Sequence, residues 1–204
     1  MLTRRRFGLT FAGAGAACLA PLLASCGLSP VSYRVRVTFE GDTPQGLKRG
    51  SSVWEISEQA QIFRTSETHA VSASLTGEAV AVDLPNGTLF ALLDRTEGGQ
   101  YLLQVVSDAL APIPAKFPRP EDYLAQVRRL GRAAPGEYKA EWPRFVMVDD
   151  GRGPVAKKNW PMFVTFRDIA DPKSVERVDP DNLAAAFGPG VTLKRATLEI
   201  TDEP

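Results

Sequence analysis

Apolar and polar residues alternate along much of this chain, and the alternation predicts a mainly β fold. In residues 32–40 every second position from Tyr33 to Phe39 is apolar, and the positions between are polar or charged. This period of two is typical of a half-buried strand. Residues 52–57 predict a second strand, which returns antiparallel to the first after a loop at residues 41–46.

The dipeptide Asn86-Gly87 lies between two apolar runs and predicts a β-hairpin. Asn-Gly favours a type I′ turn, which needs a positive φ angle at both central residues. A two-residue loop at this position pairs Leu84 with Leu89, Val82 with Ala91 and Val80 with Leu93, and it places Asp83 opposite Phe90. The six paired apolar residues then share one face, so the turn chemistry and the apolar pattern agree on the register.

A second hairpin is predicted at Gly98-Gly99, where it would set Leu92 opposite Val105. The strand common to both hairpins, residues 88–94, is apolar on both faces. Such a strand is expected in the centre of a sheet, with both faces covered.

A helix is predicted at residues 120–130, after a proline-rich linker. Pro120 suits the first helical position, two arginines occupy the last turn, and Gly131 follows as a cap. The apolar stripe of this helix consists of Tyr123, Leu124, Val127 and Leu130.

A second helix is predicted at residues 183–187, after a short strand at residues 175–178. Asp179 has the character of an N-cap, Pro180 of the first helical residue and Gly188 of the C-cap.

Residues 144–148 and 162–167 are apolar enough for core strands, and residues 149–154 form the loop tip between them. In the last strand, residues 191–201, the apolar positions slip by one residue, which predicts a bulge or a change of sheet near Arg195. The expected fold is therefore mainly β within the α+β class: an antiparallel, sandwich-like or highly curved sheet with two short helices.

The first 26 residues have the layout of a secretory signal. Arg4, Arg5 and Arg6 form a cationic start, residues 7–23 carry no charge, and small residues lead to Cys26. The alternative is an uncleaved membrane helix, but Pro21 and the glycines disfavour it.

Two motifs in this leader resemble known export signals. The run Thr3-Arg4-Arg5-Arg6-Phe7 resembles the twin-arginine (Tat) motif, and Leu23-Ala24-Ser25-Cys26 resembles the lipobox of bacterial lipoproteins. The second resemblance implies cleavage before Cys26, a diacylglyceryl thioether on its sulfur and acylation of the freed amine. Two or three acyl chains anchor a protein stably, because each buried CH₂ contributes about 0.8 kcal/mol.

These motifs divide the chain into three parts. Residues 1–25 form the signal peptide, with a signal helix, residues 26–31 a lipidated tether, and residues 32–204 a single β-rich globular domain. Gly27 stands where aspartate is associated with retention in the inner membrane of enteric bacteria. The resemblance therefore implies a location in the cell envelope, facing the periplasm, with the outer membrane preferred over the inner.

Composition narrows the chemistry of the domain. Cys18 leaves with the leader and Cys26 carries the lipid, so the mature chain would have no free thiol. That excludes disulfides, cysteine nucleophiles and cysteine metal sites. Removal of the three leader arginines leaves 21 basic and 24 acidic residues, a net charge of −3, and nothing indicates nucleic-acid binding.

Candidate catalytic or metal-binding residues are few. Asp168, Asp171 and Asp181, together with Asp179, are possible ligands for a hard cation such as Ca²⁺, although the adjacent prolines favour capping roles. Asp83, Asp94 and Glu97 are candidate carboxylates for glycoside hydrolysis, but no spacing fixes their separation. The single histidine, His69, lies in a polar run with no identifiable partner.

Three segments of the domain resemble a set of uncharacterised proteobacterial proteins: YRVRVTFEGDTPQGLKRGSSV, GEAVAVDLPNGTLFALL and PMFVTFRDIADPKSVERVDPDNLAAAFGPGVTLKRATLEITDEP. The resemblance implies a natural domain type and no activity. We expect a membrane-anchored, non-enzymatic binding or assembly module without a cofactor, whose partner is an envelope protein or the cell wall. The alternative is an envelope hydrolase that uses carboxylates or a bound cation.

Overall fold

The computed structural model describes residues 30–60, 71–96, 101–114, 120–149 and 151–204. The predicted signal peptide, Cys26 and His69 lie outside the described residues. Eleven strands are described: β1 Val31–Asp42, β2 Lys48–Ala60, β3 Val71–Gly77, β4 Val80–Leu84, β5 Gly87–Thr96, β6 Lys139–Glu141, β7 Phe145–Asp149, β8 Pro154–Lys158, β9 Pro161–Phe166, β10 Val175–Arg177 and β11 Thr192–Thr201. The α-helices are α1 Leu102–Leu110, α2 Pro120–Leu130 and α3 Leu183–Phe187, and a 3₁₀ turn spans Pro172–Ser174.

The first sheet, sheet A, has five antiparallel strands in the order β3-β2-β1-β11-β6. The predicted strand at residues 32–40 is confirmed as its central strand, and Val35, Val37 and Phe39 are fully buried. The predicted antiparallel return at residues 52–57 is confirmed within β2.

The predicted irregularity in the last strand is confirmed as a bulge. Glu40 lies opposite Arg195, whereas the next residue, Gly41, lies opposite Leu193, so Lys194 is the extra residue of β11. The bulge explains the one-residue slip in the apolar pattern, because an inserted residue moves the following side chains to the other face.

The second sheet, sheet B, has the order β10-β9-β5-β4 and faces sheet A. The two sheets share one core, in which the Phe39 ring of sheet A meets the Phe163 ring of sheet B edge-on at 5.3 Å. At one corner a Cβ on Gly50 would lie only 1.8 Å from the Ala81 carbonyl oxygen. The fold is therefore the expected mainly β, sandwich-like α+β arrangement of antiparallel sheets.

The first hairpin has the predicted face but a different register. Val82 pairs with Leu89 and Val80 with Ala91, a shift of two residues that leaves the apolar side chains on the core face. The loop residues are Pro85 and Asn86, and neither has a positive φ angle. The prediction of a type I′ turn at Asn86-Gly87 was therefore wrong. Pro85 presets the first central position of the loop, and the Asn86 amide donates to the Phe187 carbonyl at 3.1 Å.

The segment that was predicted as the second strand of the Gly98-Gly99 hairpin is a helix. Val105 lies in α1, where it is buried with Leu102, Val106 and Leu110, while Gly98 and Gly99 lie outside the described residues. The spacing of these residues, i to i+3, i+4 and i+8, is that of a helical face. The described chain thus has three α-helices and not two.

Helix α2 begins and ends where the sequence predicted. Val127 and Leu130 are buried, while Tyr123 and Leu124 are half-buried. Helix α3 also has the predicted range and its Gly188 C-cap, but its N-cap is Asn182. The Asp179 carboxylate instead accepts a hydrogen bond from the Asp181 backbone amide at 3.0 Å and so stabilises the turn before α3.

Of the two predicted core strands in this region, only one is in the core. Strand β9 pairs with β5 in sheet B, whereas β7 pairs with β8 in a separate two-stranded sheet. In this β7–β8 hairpin the Phe145 and Met147 side chains remain exposed, at 64% and 62%.

Candidate functional site

The candidate cation ligands serve local turns. Asp168 accepts from the Ala170 amide at 2.9 Å, and Asp171 caps the 3₁₀ turn by accepting from the Lys173 amide at 2.9 Å. Asp181 pairs with Lys158 at 2.5 Å. Among the described residues no three His, Cys, Asp or Glu side chains are grouped to hold a metal ion. The arrangement therefore supports the capping interpretation of the Asp168 and Asp171 side chains.

The carboxylates proposed for glycoside chemistry do not form a site either. Asp83 faces Thr88, not Phe90, and accepts from the Thr88 hydroxyl at 2.8 Å. Asp94 is exposed near the end of β5, and Glu97 lies outside the described residues.

A buried polar group that the sequence analysis did not identify lies where α1 packs on sheet A. The Tyr33 hydroxyl donates to the Glu58 carboxylate at 3.1 Å, and these two residues are only 5% and 8% exposed. Burial raises the pKa of Glu58, and the nearby charge of Asp108 raises it further, whereas the Tyr33 hydrogen bond lowers it. The pKa of Tyr33 is raised by burial and by the Glu58 charge.

Gln126 ties the two long helices together beside this pair. Its side chain, 2% exposed, reaches from α2 to α1. The Nε2 group donates to the Ala111 carbonyl at 2.9 Å, to the Asp108 carboxylate at 3.1 Å and to the Ser107 carbonyl at 3.2 Å. Asp108 is exposed on its outer side, yet partial burial of its carboxylate raises its pKa, and the Gln126 bond lowers it.

The sequence did contain a signal for this group, which we name the Tyr33–Gln126 cluster (Tyr33, Glu58, Asp108 and Gln126). On β2 the inward positions run Trp54, Ile56 and then Glu58. An acid that continues an apolar face is either buried or lies at the end of the sheet. Since two carboxylates with raised pKa values and a tyrosine meet here, this cluster is the best-formed chemical group in the described residues.

The outer face of sheet A is polar and crossed by ion pairs. Glu40 is 4% exposed and lies between Arg49, at 3.0 Å, and Arg195, at 2.9 Å, its direct neighbours on the two adjacent strands. Arg34 pairs in the same way with Glu55 at 3.1 Å. These pairs satisfy the charges of adjacent strands.

An open cavity of about 330 Å³ lies where the chain enters sheet A. Its lining consists of Ser32, Tyr33, Arg34, Glu55, Leu130, Gly131, Ala133, Ile200 and Thr201. Because its one lining cation, Arg34, is already paired with Glu55, the cavity offers no uncompensated charge to a ligand.

The three tryptophans form no surface groove. Trp54, Trp142 and Trp160 are at most 5% exposed and belong to the core. Trp142 and Trp160 lie at the base of the β7–β8 hairpin, where the Trp142 indole donates to the Asn159 carbonyl at 2.8 Å.

No protein-family model, curated protein or solved structure matches this chain. None of the helices in the described residues is long and apolar enough to cross a membrane.

Proposed function

We propose that this chain is a lipid-anchored lipoprotein of the cell envelope whose domain binds or assembles with a partner and does not catalyse a reaction. The observation that carries the proposal is the leader, in which three arginines, an uncharged run and Leu23-Ala24-Ser25-Cys26 follow one another at the spacing of a lipoprotein signal. The described domain is compatible with this short tether, because β1 begins at Val31, five residues after Cys26.

The anchor is tested by replacing the two cysteines separately in the full-length chain. Cys26→Ala should shift the protein from the membrane fraction to the soluble fraction or leave it as uncleaved precursor, and it should abolish labelling with a palmitate analogue. Cys18→Ala is the matched control, since Cys18 lies inside the leader and its replacement should change neither property. Unchanged labelling of the Cys26→Ala protein would refute the lipid anchor.

The export route is tested in the same cells. A double Arg4→Lys, Arg5→Lys change should block export if the Tat pathway is used, whereas Arg6→Lys should not. Export that continues after the double change would assign the protein to the general secretory route and would leave the anchor proposal intact.

A binding or assembly role is supported by the β7–β8 hairpin. Phe145, Met147 and Val155 account for three of the exposed large apolar side chains in the described residues, and all three lie on this hairpin. Exposed apolar side chains gathered on one element are characteristic of an interaction site.

The alternative function, a carboxylate hydrolase, would depend on the Tyr33–Gln126 cluster. Glu58 and Asp108 have raised pKa values, as a general acid requires. However, Glu58 is buried against Tyr33, which favours a structural role. Release of soluble fragments from purified envelope by the protein, and loss of that release in Glu58→Gln, would favour the hydrolase over the binding module.

A further inference from the structure

The Tyr33–Gln126 cluster lies at an interface, since it joins sheet A to the two long helices. Tyr33 is on β1 and Glu58 is on β2, and their side chains meet at 3.1 Å. Asp108 is on α1, and Gln126 of α2 donates to its carboxylate at 3.1 Å. The contact between the helices and the sheet therefore contains two carboxylates.

Glu58 has no cationic partner among the described residues, unlike the other deeply buried carboxylate of sheet A. Glu40 is 4% exposed and lies between two arginines, at 3.0 Å and 2.9 Å. Glu58 is 8% exposed, and the hydrogen bond that it accepts comes from the neutral Tyr33 hydroxyl. Burying a charge is costly unless an opposite charge accompanies it. Burial therefore favours the protonated form of Glu58.

The neighbouring strands and α1 supply no positive charge to Glu58. The residues directly opposite Glu58 on β1 and β3 are Val31 and Ala73, and β3 contains no titratable residue. The titratable groups that act on Glu58 are Tyr33 of β1 and Asp108, which is the one charged residue of α1. The charge of Asp108 opposes the ionisation of Glu58.

The elements packed against α1 add no cation to the pair. Gln126, which faces Asp108 from α2, is neutral. The other titratable residues described on α2, β5, β6 and β11 form neither an ion pair nor a hydrogen bond with the two carboxylates; they are Asp94, Asp122, Tyr123, Arg128, Arg129, Lys139, Glu141, Lys194, Arg195 and Glu199.

Glu58 and Asp108 oppose each other's ionisation. Like charges that share a site titrate as a pair, and one of the two keeps its proton to a higher pH. Asp108 is exposed on its outer side whereas Glu58 is buried, so Asp108 ionises first and Glu58 keeps the proton. The raised pKa of Glu58, to which the Asp108 charge contributes, agrees with this order.

We propose that pH controls the docking of α1 and α2 on sheet A through Glu58 and Asp108. The helix pair is tightly docked while Glu58 carries a proton beside ionised Asp108. When both side chains are ionised, separation of the helices from the sheet lets water reach the two charges, so the open form is populated more often. The stabilisation of the docked form is therefore complete at acid pH and is lost as the pH rises through the folded pKa of Glu58.

The two helices can respond as one unit. Gln126 bonds α2 to the Ser107 and Ala111 carbonyls at the end of α1, as well as to the Asp108 carboxylate. Opening would expose the apolar face of α1, which belongs to the core and consists of Leu102, Val105, Val106 and Leu110. Because this face favours docking at every pH, the open form is a local excursion whose frequency the pH adjusts.

Hydrogen exchange of the backbone amides measures how often each segment opens. The purified full-length chain is studied in mild detergent by mass spectrometry, and each rate is divided by that of an unstructured peptide at the same pH. We expect α1 amides to be less protected than β1 amides, and their protection to fall several-fold between about pH 5 and about pH 8. The protection of α3, which contains none of the cluster residues, should change little.

Three variants test the origin of the pH dependence. Glu58→Gln should remove most of it from α1, with an unchanged circular dichroism spectrum. Asp108→Asn keeps an acceptor for Gln126 but removes the neighbouring charge, so the protection of α1 should be lost at a lower pH than in the native chain. A merely structural role of Asp108 would not move this midpoint. Glu55→Gln is the matched control, because Glu55 lies on the outer face of β2 and pairs with Arg34, and it should leave the pH dependence of α1 unchanged.

Three results would overturn the proposal. Equal protection of α1 and β1 would show that the helix pair opens only when the whole domain unfolds. Protection of α1 that does not change between about pH 5 and about pH 8, or that changes equally in the native and Glu58→Gln chains, would remove Glu58 as the controlling group. An unmoved midpoint in Asp108→Asn would show that the two carboxylates are not coupled.

Discussion

Replacing Gln126 by leucine tests whether the amide holds α1 and α2 together. Leucine has a similar volume and keeps the apolar contacts of this buried position, but it cannot donate to Ala111, Asp108 or Ser107. The Ser107 carbonyl keeps its bond from the Ala111 amide at 2.9 Å, and water can reach Asp108. The principal loss is therefore the bond at 2.9 Å to the Ala111 carbonyl.

A buried acceptor that loses its donor costs about 1–3 kcal/mol, so we expect the free energy of unfolding to fall by about 2 kcal/mol. Since the whole free energy of unfolding of a domain is about 5–15 kcal/mol, a loss of this size is readily measured. Urea unfolding followed by tryptophan fluorescence is suitable, because all three tryptophans are buried. The slope of the transition should stay the same, because the surface exposed on unfolding is unchanged.

Two further variants make the test specific. Gln104→Leu changes an exposed glutamine of α1 and should alter the free energy of unfolding by less than about 0.5 kcal/mol. Gln126→Glu should destabilise more than Gln126→Leu at neutral pH, since its carboxylate would face three acceptors, and should recover as the pH falls. If Gln126→Leu were as stable as Gln104→Leu, the amide would not connect the two helices.

Two other changes follow from the described contacts. The pKa of the Glu58 carboxyl is raised in the folded protein, so Glu58 stabilises the fold fully below its ordinary pKa of 4.5, and this contribution is lost as the pH rises through the folded pKa. The native protein should therefore gain in thermal midpoint from neutral pH towards pH 5, and Glu58→Gln should reduce that gain. An equal gain in the two proteins would contradict this reasoning. Gly50→Ala would place a Cβ 1.8 Å from the Ala81 carbonyl oxygen and should lower the free energy of unfolding by about 3 kcal/mol. The exposed Ser51→Ala change is the control and should alter it little, as measured by thermal unfolding.

The sequence predicted those features that depend on local period or local chemistry. The irregularity at Lys194 could be predicted from the sequence, because an inserted residue moves the apolar positions that follow it to the other face of the strand. Helix α2 was visible because proline, charges and an apolar stripe all indicate the same range. The core face of the first hairpin was also predicted correctly from the alternation, since a register shift of two residues leaves every side chain on the same face of the sheet.

The features that were missed depend on distant contacts. The loop at Pro85 and Asn86 is held by the Phe187 carbonyl, which is 101 residues away along the chain. Apolar composition favoured a core position for β7, but composition does not tell which sheet a strand joins, and here β7 pairs only with β8, outside the two core sheets. The Tyr33–Gln126 cluster combines two strands and two helices, so only Glu58 could be recognised from the pattern of one strand.

The position of β1 bears on the proposed lipid anchor. Strand β1, which would follow the proposed tether, is the central strand of sheet A and pairs with β2 from Val31 onwards and with β11 from Arg34 onwards. Next to this entry the backbone of Gly131 approaches Val31 so closely that a Cβ would lie 2.1 Å from its Cγ1 atom. A pull on the tether would therefore load two rows of backbone hydrogen bonds in shear and would not peel away an edge strand. If the proposed anchor holds the domain at this end, the β7–β8 hairpin remains ordered, since the Asn159 amide bonds to the Arg144 carbonyl at its base.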